Sequence, residues 1–210
     1  RSPSRGLGDV YKRQDAMSIG AHPHTGLQTV SWLFAGEVEH RDSLGSITTI
    51  KPGQLNLMTA GYGVAHSELS SPDAQSMHGV QLWTVLPDSS RNIAPQFEHL
   101  DQLPVLDHHG MHIRVFIGEL YGAISPATVF SEMVGAEVKV ASHFQHRLEL
   151  KSNFEYGLML IEGEVIANGE ILAVGDICYI AAGNTSAELH SGNGARFLLL
   201  GGTPFTEEII

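Results

Sequence analysis

Two short runs, His22-Pro23-His24 and His66-Ser67-Glu68, each place two donor side chains two positions apart. In extended chain residues i and i+2 point to the same face, so each run offers a chelating pair, and two pairs brought together by a sheet would surround one divalent ion. Pro23 fixes its own φ and removes a backbone donor between the first two imidazoles, which suits a strand edge or entry. Three neutral imidazoles and one carboxylate leave positions open in a five- or six-coordinate shell, and open positions are what O2 or a chelating substrate requires. Zn(II) would accept the same four ligands as a closed tetrahedral site with no such opening. Bare affinity favours Cu and Zn over Fe, so the metal in a preparation need not be the working one.

Taken singly, histidines near a turn are more often surface or core-edge groups than ligands. The combination of two spaced pairs, with Gly61 and Gly63 shaping the turn before the second, favours a metal site formed by His22, His24, His66 and Glu68. His40 and Asp42 are a third spaced pair, but beside a hairpin, where a solvated face is at least as good an account; they are left out of the ligand set. His78 and Gln81 read as satisfied structural polar groups before they read as donors orienting a ligand. Trp32, Phe34, Leu57 and Trp83 read as core, with the lining of an aromatic pocket as the alternative. His108, His109 and His112 carry no usable spacing.

The elements that must position these residues are strands. Gln28 to Phe34 alternates and is rich in β-branched and aromatic types, and Ala35-Gly36-Glu37 then signals a hairpin. Val38 to Asp42 returns, Ser43 to Ser46 turns, Ile47 to Ile50 is a short strand, and Leu55, Leu57 and Thr59 share one face of the next. Residues 70 to 79 form a polar loop before a strand from Val80. Further strands are expected at His112 to Ile117, Glu137 to Ala141, Leu148 to Leu150, Tyr156 to Ile161 and Phe197 to Leu200. With strands about every ten residues and no 3.6-residue periodicity, the fold class is all-β, a sandwich or barrel.

The 210 residues allow one large β domain or two small ones. An internal repeat favours two. Leu33-Phe34-Ala35-Gly36-Glu37-Val38 matches Leu160-Ile161-Glu162-Gly163-Glu164-Val165, and Gly53 to Gly61 has the same length as Gly175 to Gly183. Carrying the first unit's ligand positions across by this repeat reaches Glu149, Lys151, Glu188 and His190. A charged Lys is a poor ligand and two donors are lost, so the second unit is expected to lack metal ligands. The expected division is a leader over 1–14, a first unit over 15–95, a linker over 96–111 and a second unit over 112–210. The leader holds four of the twelve basic residues with little apolar periodicity, and is set aside as non-native or disordered.

Twelve Lys plus Arg against 23 Asp plus Glu give a formal charge of −11, which argues against direct nucleic-acid binding. Cys178 is alone, so no internal disulfide framework exists, and a reducing, cytoplasmic setting is expected. No apolar run is long enough to span a membrane as a helix. The oligomeric state is left open.

Four motifs carry a resemblance. His22-Pro23-His24-x-Gly26-x-x-Thr29, Gly36-x-x-x-His40-x-Asp42-Ser43, Met58-Thr59-Ala60-Gly61-x-Gly63-x-x-His66-Ser67-Glu68 and His78-Gly79-x-Gln81-Leu82-Trp83 together resemble the signature of the pirin family of the cupin superfamily. The likeness runs from about residue 20 to residue 205 and includes a Leu199-Leu200-Gly201-Gly202-x-Pro204 ending. It implies a bicupin, two tandem cupin-type β-barrels or sandwiches, whose first barrel holds one non-haem Fe(II) through His22, His24, His66 and Glu68. By the same likeness the chain is a fragment truncated at both ends, with its opening strands partly missing. Tyr62 stands where a basic residue is expected.

Three functions follow from the resemblance and the ligand chemistry. The first is an Fe(II) dioxygenase acting with O2 on small aromatic substrates of the quercetin type, with Glu68 as both ligand and candidate base. The second is an iron-dependent redox-sensing module that binds a regulatory protein partner without turnover, for which an acidic surface is suited. The third is a structural metal-binding cupin; Zn, Mn, Ni and Cu are the alternative ions.

Overall fold

The computed structural model describes residues 10–13, 17–70 and 76–206, and among them every regular element is a strand. The chain divides into two compact units, 1–102 and 103–210.

In the first unit, β1 (Val10–Arg13), β3 (Leu27–Ala35), β6 (Leu55–Thr59), β8 (Met77–Val85) and β9 (Gln96–Leu100) form a five-stranded antiparallel sheet in the order β1-β8-β3-β6-β9. The second sheet comprises β2 (Ser18–His24), β4 (Val38–Asp42), β5 (Ile47–Ile50) and β7 (Val64–Ser70), in the order β2-β7-β4-β5. The strands beginning near Leu27, Val38, Ile47 and Leu55 stand where alternation placed them, because a half-buried strand needs a period of two. Met17, Leu33, Val38, Ile50 and Met77 pack together as one apolar cluster, while Trp32, Leu55 and Leu57 are fully buried.

Two expectations about the ends of this unit are corrected. Val10–Arg13, set aside with the leader, pairs with β8 through Val10 opposite Val80 and Arg13 opposite Met77; composition does not report the backbone pairing that an edge strand can accept. The rest of the leader, 1–9 and 14, lies outside the described residues. The expected linker 96–111 instead contains β9, paired with β6, and β10 (Val105–His108). Its polar text belongs to edge strands, which tolerate it, with Pro104 in the short connection between them.

The second unit is built on one nine-stranded sheet that wraps a single core. Its central path runs β10, β11 (Met111–Leu120), β13 (Met133–Glu149), β18 (Ser186–Gly202), β14 (Glu155–Gly163), β17 (Ile177–Ile180). Three short strands, β12 (Ala123–Ile124), β15 (Val165–Ala167) and β16 (Glu170–Leu172), attach to it. The segments expected at Glu137 and Leu148 are one strand of 17 residues, paired along most of its length with β18. Ile113, Val115, Leu158, Leu160, Phe197 and Leu199 are among the buried side chains it encloses; each contributes roughly 1.5–3 kcal/mol of burial.

The repeat has a backbone cause. Gly36 and Gly163 both follow a central strand, both have φ +82, and a Cβ on either would lie 2.6 Å from Ser76 O or 2.2 Å from Gly194 O. Only glycine combines that φ with so close an approach.

Candidate metal centre

The two spaced pairs occupy neighbouring strands. His22 and His24 lie on β2 and His66 and Glu68 on β7, paired so that His22 is opposite His66 and His24 opposite Val64. A register shift between Ile19 and His22 sets this alignment; such a bulge re-aims the side chains that follow it. Along β7 the inward positions are Val64, His66, Glu68 and Ser70, as the alternation requires.

The imidazole Nε2 atoms converge. His66 Nε2 is 3.0 Å from His22 Nε2 and 3.1 Å from His24 Nε2. The neighbours of two rings fix where their protons sit. His22 Nδ1 donates to the Gly20 carbonyl at 2.9 Å, which leaves the Nε2 lone pair facing the cluster. His66 Nδ1 lies 3.4 Å from His40 Nδ1, and His40 Nε2 donates to Asp42 Oδ2 at 3.1 Å. With His40 neutral, its Nδ1 is an acceptor, so the proton of His66 belongs on Nδ1 and its Nε2 also presents a lone pair.

Lone pairs aimed at one another from about 3 Å are a poor arrangement for bare imidazoles and a good one for ligands of a shared cation. Two nitrogens about 2.1 Å from one ion are about 3.0 Å apart at right angles and about 3.4 Å apart in a tetrahedron. The observed separations match the first, so the donor set fits a divalent transition ion with positions left open.

Burial and crowding keep His66 and His24 uncharged. The His66 pKa is pulled down to about 3 by burial, reinforced by repulsion from His22, His40 and His24 and opposed by Asp42. His24 is lowered for the same reasons, burial first and His22 second. Neutral imidazole is the form that binds metal.

Glu68 stands differently from the expected single set of four. Its carboxylate groups with His40 and His66, whereas His22, His24 and His66 form the other triad, so His66 is the shared member. Gln81 Nε2 donates to both Glu68 oxygens at 2.8 Å, and Ser31 Oγ donates to Oε1 at 3.3 Å. Both donors come from the opposite sheet. Burial raises the Glu68 pKa, against the pull of His40 and the Gln81 and Ser31 hydrogen bonds. Glu68 also borders a cavity of about 20 Å3, walled otherwise by Met17, Leu33 and Ile50; that is room for one water and no more.

His40 and Asp42, left outside the ligand set as a solvated pair, are buried. His40 is 2% exposed and the Asp42 side chain fully covered. Phe97, from the segment expected to be linker, stacks on the His40 ring at 4.3 Å and 10°. Asp42 Oδ1 accepts from the Leu44 and Ser46 amides, so burial, which would raise its pKa, is outweighed by hydrogen bonds from His40, Ser46 and Leu44 and the pKa falls. The i, i+2 spacing of this pair was visible in sequence; which face it took was not. Gln81 is bonded to the carboxylate of Glu68, one of the candidate ligands. His78 packs edge-on against Phe34 instead. Trp83 is not core: it is 44% exposed, with its ring edge-on to His24 at 5.3 Å.

A chain of two all-β units, the first carrying inward histidines on adjacent strands of a small sheet, is a bicupin. The pirin family model matches residues 5–84 and the pirin C-terminal cupin domain model matches residues 135–210. This chain belongs to the pirin family. A crystal structure of quercetin 2,3-dioxygenase from Acinetobacter baumannii superposes with a TM-score of 0.91 at 36% identity, covering 98% of this chain and 72% of that one. A Pseudomonas aeruginosa protein with the provisional name quercetin 2,3-dioxygenase is 44% identical over 193 residues, which is 92% of this chain and 61% of that protein. A pirin-like protein of Caulobacter vibrioides is 40% identical over 121 residues, 55% of this chain and 42% of the other. The matched stretches therefore span about three fifths and two fifths of the length of these two relatives. No helix among the described residues is long and apolar enough to cross a membrane.

Proposed function

We propose that the first unit is the metal centre of a dioxygenase that consumes O2 and a small flavonol-like aromatic of the quercetin type, with Fe(II) held by His22, His24, His66 and Glu68. The observation that carries this reading is the approach of the His22 and His24 Nε2 atoms to 3.0 and 3.1 Å from His66 Nε2, with the His22 and His66 tautomers fixed from behind. The names of the Acinetobacter and Pseudomonas relatives support the substrate class. The bound ion would supply Lewis acidity toward a substrate hydroxyl and a site at which O2 and substrate meet.

The chain's own groups do the rest. His22 is only half-buried while His24 and His66 are covered, so the ion is approached from the His22 side. Exposed Trp83, edge-on to His24, gives that approach an aromatic wall for a flat ring. The cavity beside Glu68 is too small for a flavonol, so substrate stays outside it. Glu68 takes the substrate hydroxyl proton on a carboxylate oxygen; its raised pKa favours holding that proton, and Gln81 keeps the group aimed. Removal of water by the apolar wall of the cavity strengthens each of these interactions.

The test is O2 uptake and quercetin loss by iron-loaded protein under single-turnover and steady-state conditions. Activity that disappears in His66→Ala supports the proposal. Metal-loaded protein that is inert toward a panel of flavonols and catechols overturns it.

A further inference from the structure

A second group of imidazoles lies in the second unit and uses none of the repeat-equivalent positions Glu149, Lys151, Glu188 and His190. His108 closes β10, His109 and Gly110 make the turn into β11, and His146 lies on β13. Each offers one ring nitrogen, all within 4.8 Å of one another. His109 stacks over His146 at 4.7 Å and 19°, while His108 stands edge-on to His109 at 4.4 Å and 77°. The His108 ring is also backed by Tyr121 at 4.1 Å.

Two observations separate this group from casual surface histidines. First, none of the three rings hydrogen-bonds to another protein group among the described residues, whereas His112 Nδ1 is bonded to Asp107 at 2.8 Å and His99 Nδ1 to Asn56 at 2.7 Å. Their lone pairs are uncommitted. Second, His109 sits at φ 47, followed by Gly110 at φ 81. Two successive positive φ values are what a two-residue hairpin turn requires, and Asn or Gly meets that at lower cost than His. The chain holds an imidazole in a conformation that costs it, and the result is a ring placed over His146.

We propose that His108, His109 and His146 form a second transition-metal site, for a borderline ion such as Zn(II), Ni(II) or Cu(II), with water completing the shell. Three imidazoles without a thiolate or carboxylate select this class over Mg or Ca. Nitrogens sharing an ion are about 3.0–3.4 Å apart, so the rings close by an ångström or so on binding. His109 is exposed and the other two are half-buried, so χ rotation suffices.

Metal-stripped full-length chain is titrated with Zn(II) by calorimetry and with Co(II) by absorption. Wild type takes up two equivalents. His22→Ala/His66→Ala retains one, and His109→Asn/His146→Gln retains the other. His109→Asn alone, which suits the left-handed turn and leaves the melting temperature of the metal-free chain unchanged or raised, weakens the second equivalent by at least about tenfold. A single equivalent in wild type overturns the proposal, as does a second equivalent that survives in His109→Asn/His146→Gln.

Discussion

His22 faces His66 directly across β2 and β7, with their Nε2 atoms 3.0 Å apart. Since His66 is also 3.1 Å from His24 and groups with Glu68, it is the side chain shared by both ligand triads found among the described residues of the first unit. His66→Ala is therefore expected to lower affinity for a divalent ion roughly 100-fold or more, beyond the 10- to 100-fold typical of losing a group behind a ligand. Competition with a chromophoric chelator measures this. His22→Ala, which leaves two buried imidazoles and Glu68, should lose less.

Metal removal should lower stability as well as activity. An ion bound at 100 times its Kd adds about 2.7 kcal/mol to the folded state. Chelator is expected to lower the melting temperature of wild type, and to shift that of His66→Ala less, by the second site's contribution alone; differential scanning calorimetry with and without chelator decides it.

The pH dependence of the metal-free chain follows from His66. Its folded pKa is about 3 against about 6.5 unfolded. Between those values the unfolded chain binds the proton and the native one does not, so this contribution to stability is complete above pH 6.5 and is lost as pH falls toward 3, at up to about 1.4 kcal/mol per pH unit. Glu68, raised by burial, acts with the opposite sign above its ordinary value. In a Glu68→Gln background the fall should be steeper, and His66→Gln should flatten it; urea melts at pH 7, 6 and 5 measure both.

Asp42 should matter to the metal although it does not touch the triad. It holds His40, which stands behind His66, and it caps the 42–46 turn through the Leu44 and Ser46 amides. Asp42→Ala is expected to cost about 1–3 kcal/mol of stability and about 10-fold in metal affinity. Asp42→Asn keeps an oxygen for the Leu44 and Ser46 amides but turns an NH2 donor toward His40 Nε2, so it should recover the turn's share of the stability and little of the metal affinity.

Gly61 tests the turn that delivers His66. Its φ is +52, and an added Cβ would lie 2.0 Å from the Ile93 carbonyl oxygen, which already accepts from the Tyr62 amide. Gly61→Ala should destabilise the first unit by about 3 kcal/mol, the sum of left-handed strain and a backbone clash. Gly45, with positive φ and open space around it, should lose far less on the same change.

Much of this protein was legible in the order of its residues, for a local reason. A strand alternates its side chains by covalent geometry, so His22 with His24, His66 with Glu68, and the strands over 38–42 and 47–50 follow from spacing alone. Repeated glycines marked the shared plan of the two units because only glycine adopts φ near +82 against a neighbouring carbonyl. Register is another matter. Whether β2 slid so that His22 met His66, whether β4 turned His40 inward under Phe97, and whether Gln81 reached Glu68 all depend on pairings made across the sheets. A one-residue slip would have reversed each outcome without changing a single local preference. The same holds for His108, His109 and His146, whose convergence joins a hairpin turn to a strand more than thirty residues further along. Alternation set which residues could share a face; tertiary pairing alone decided which faces met.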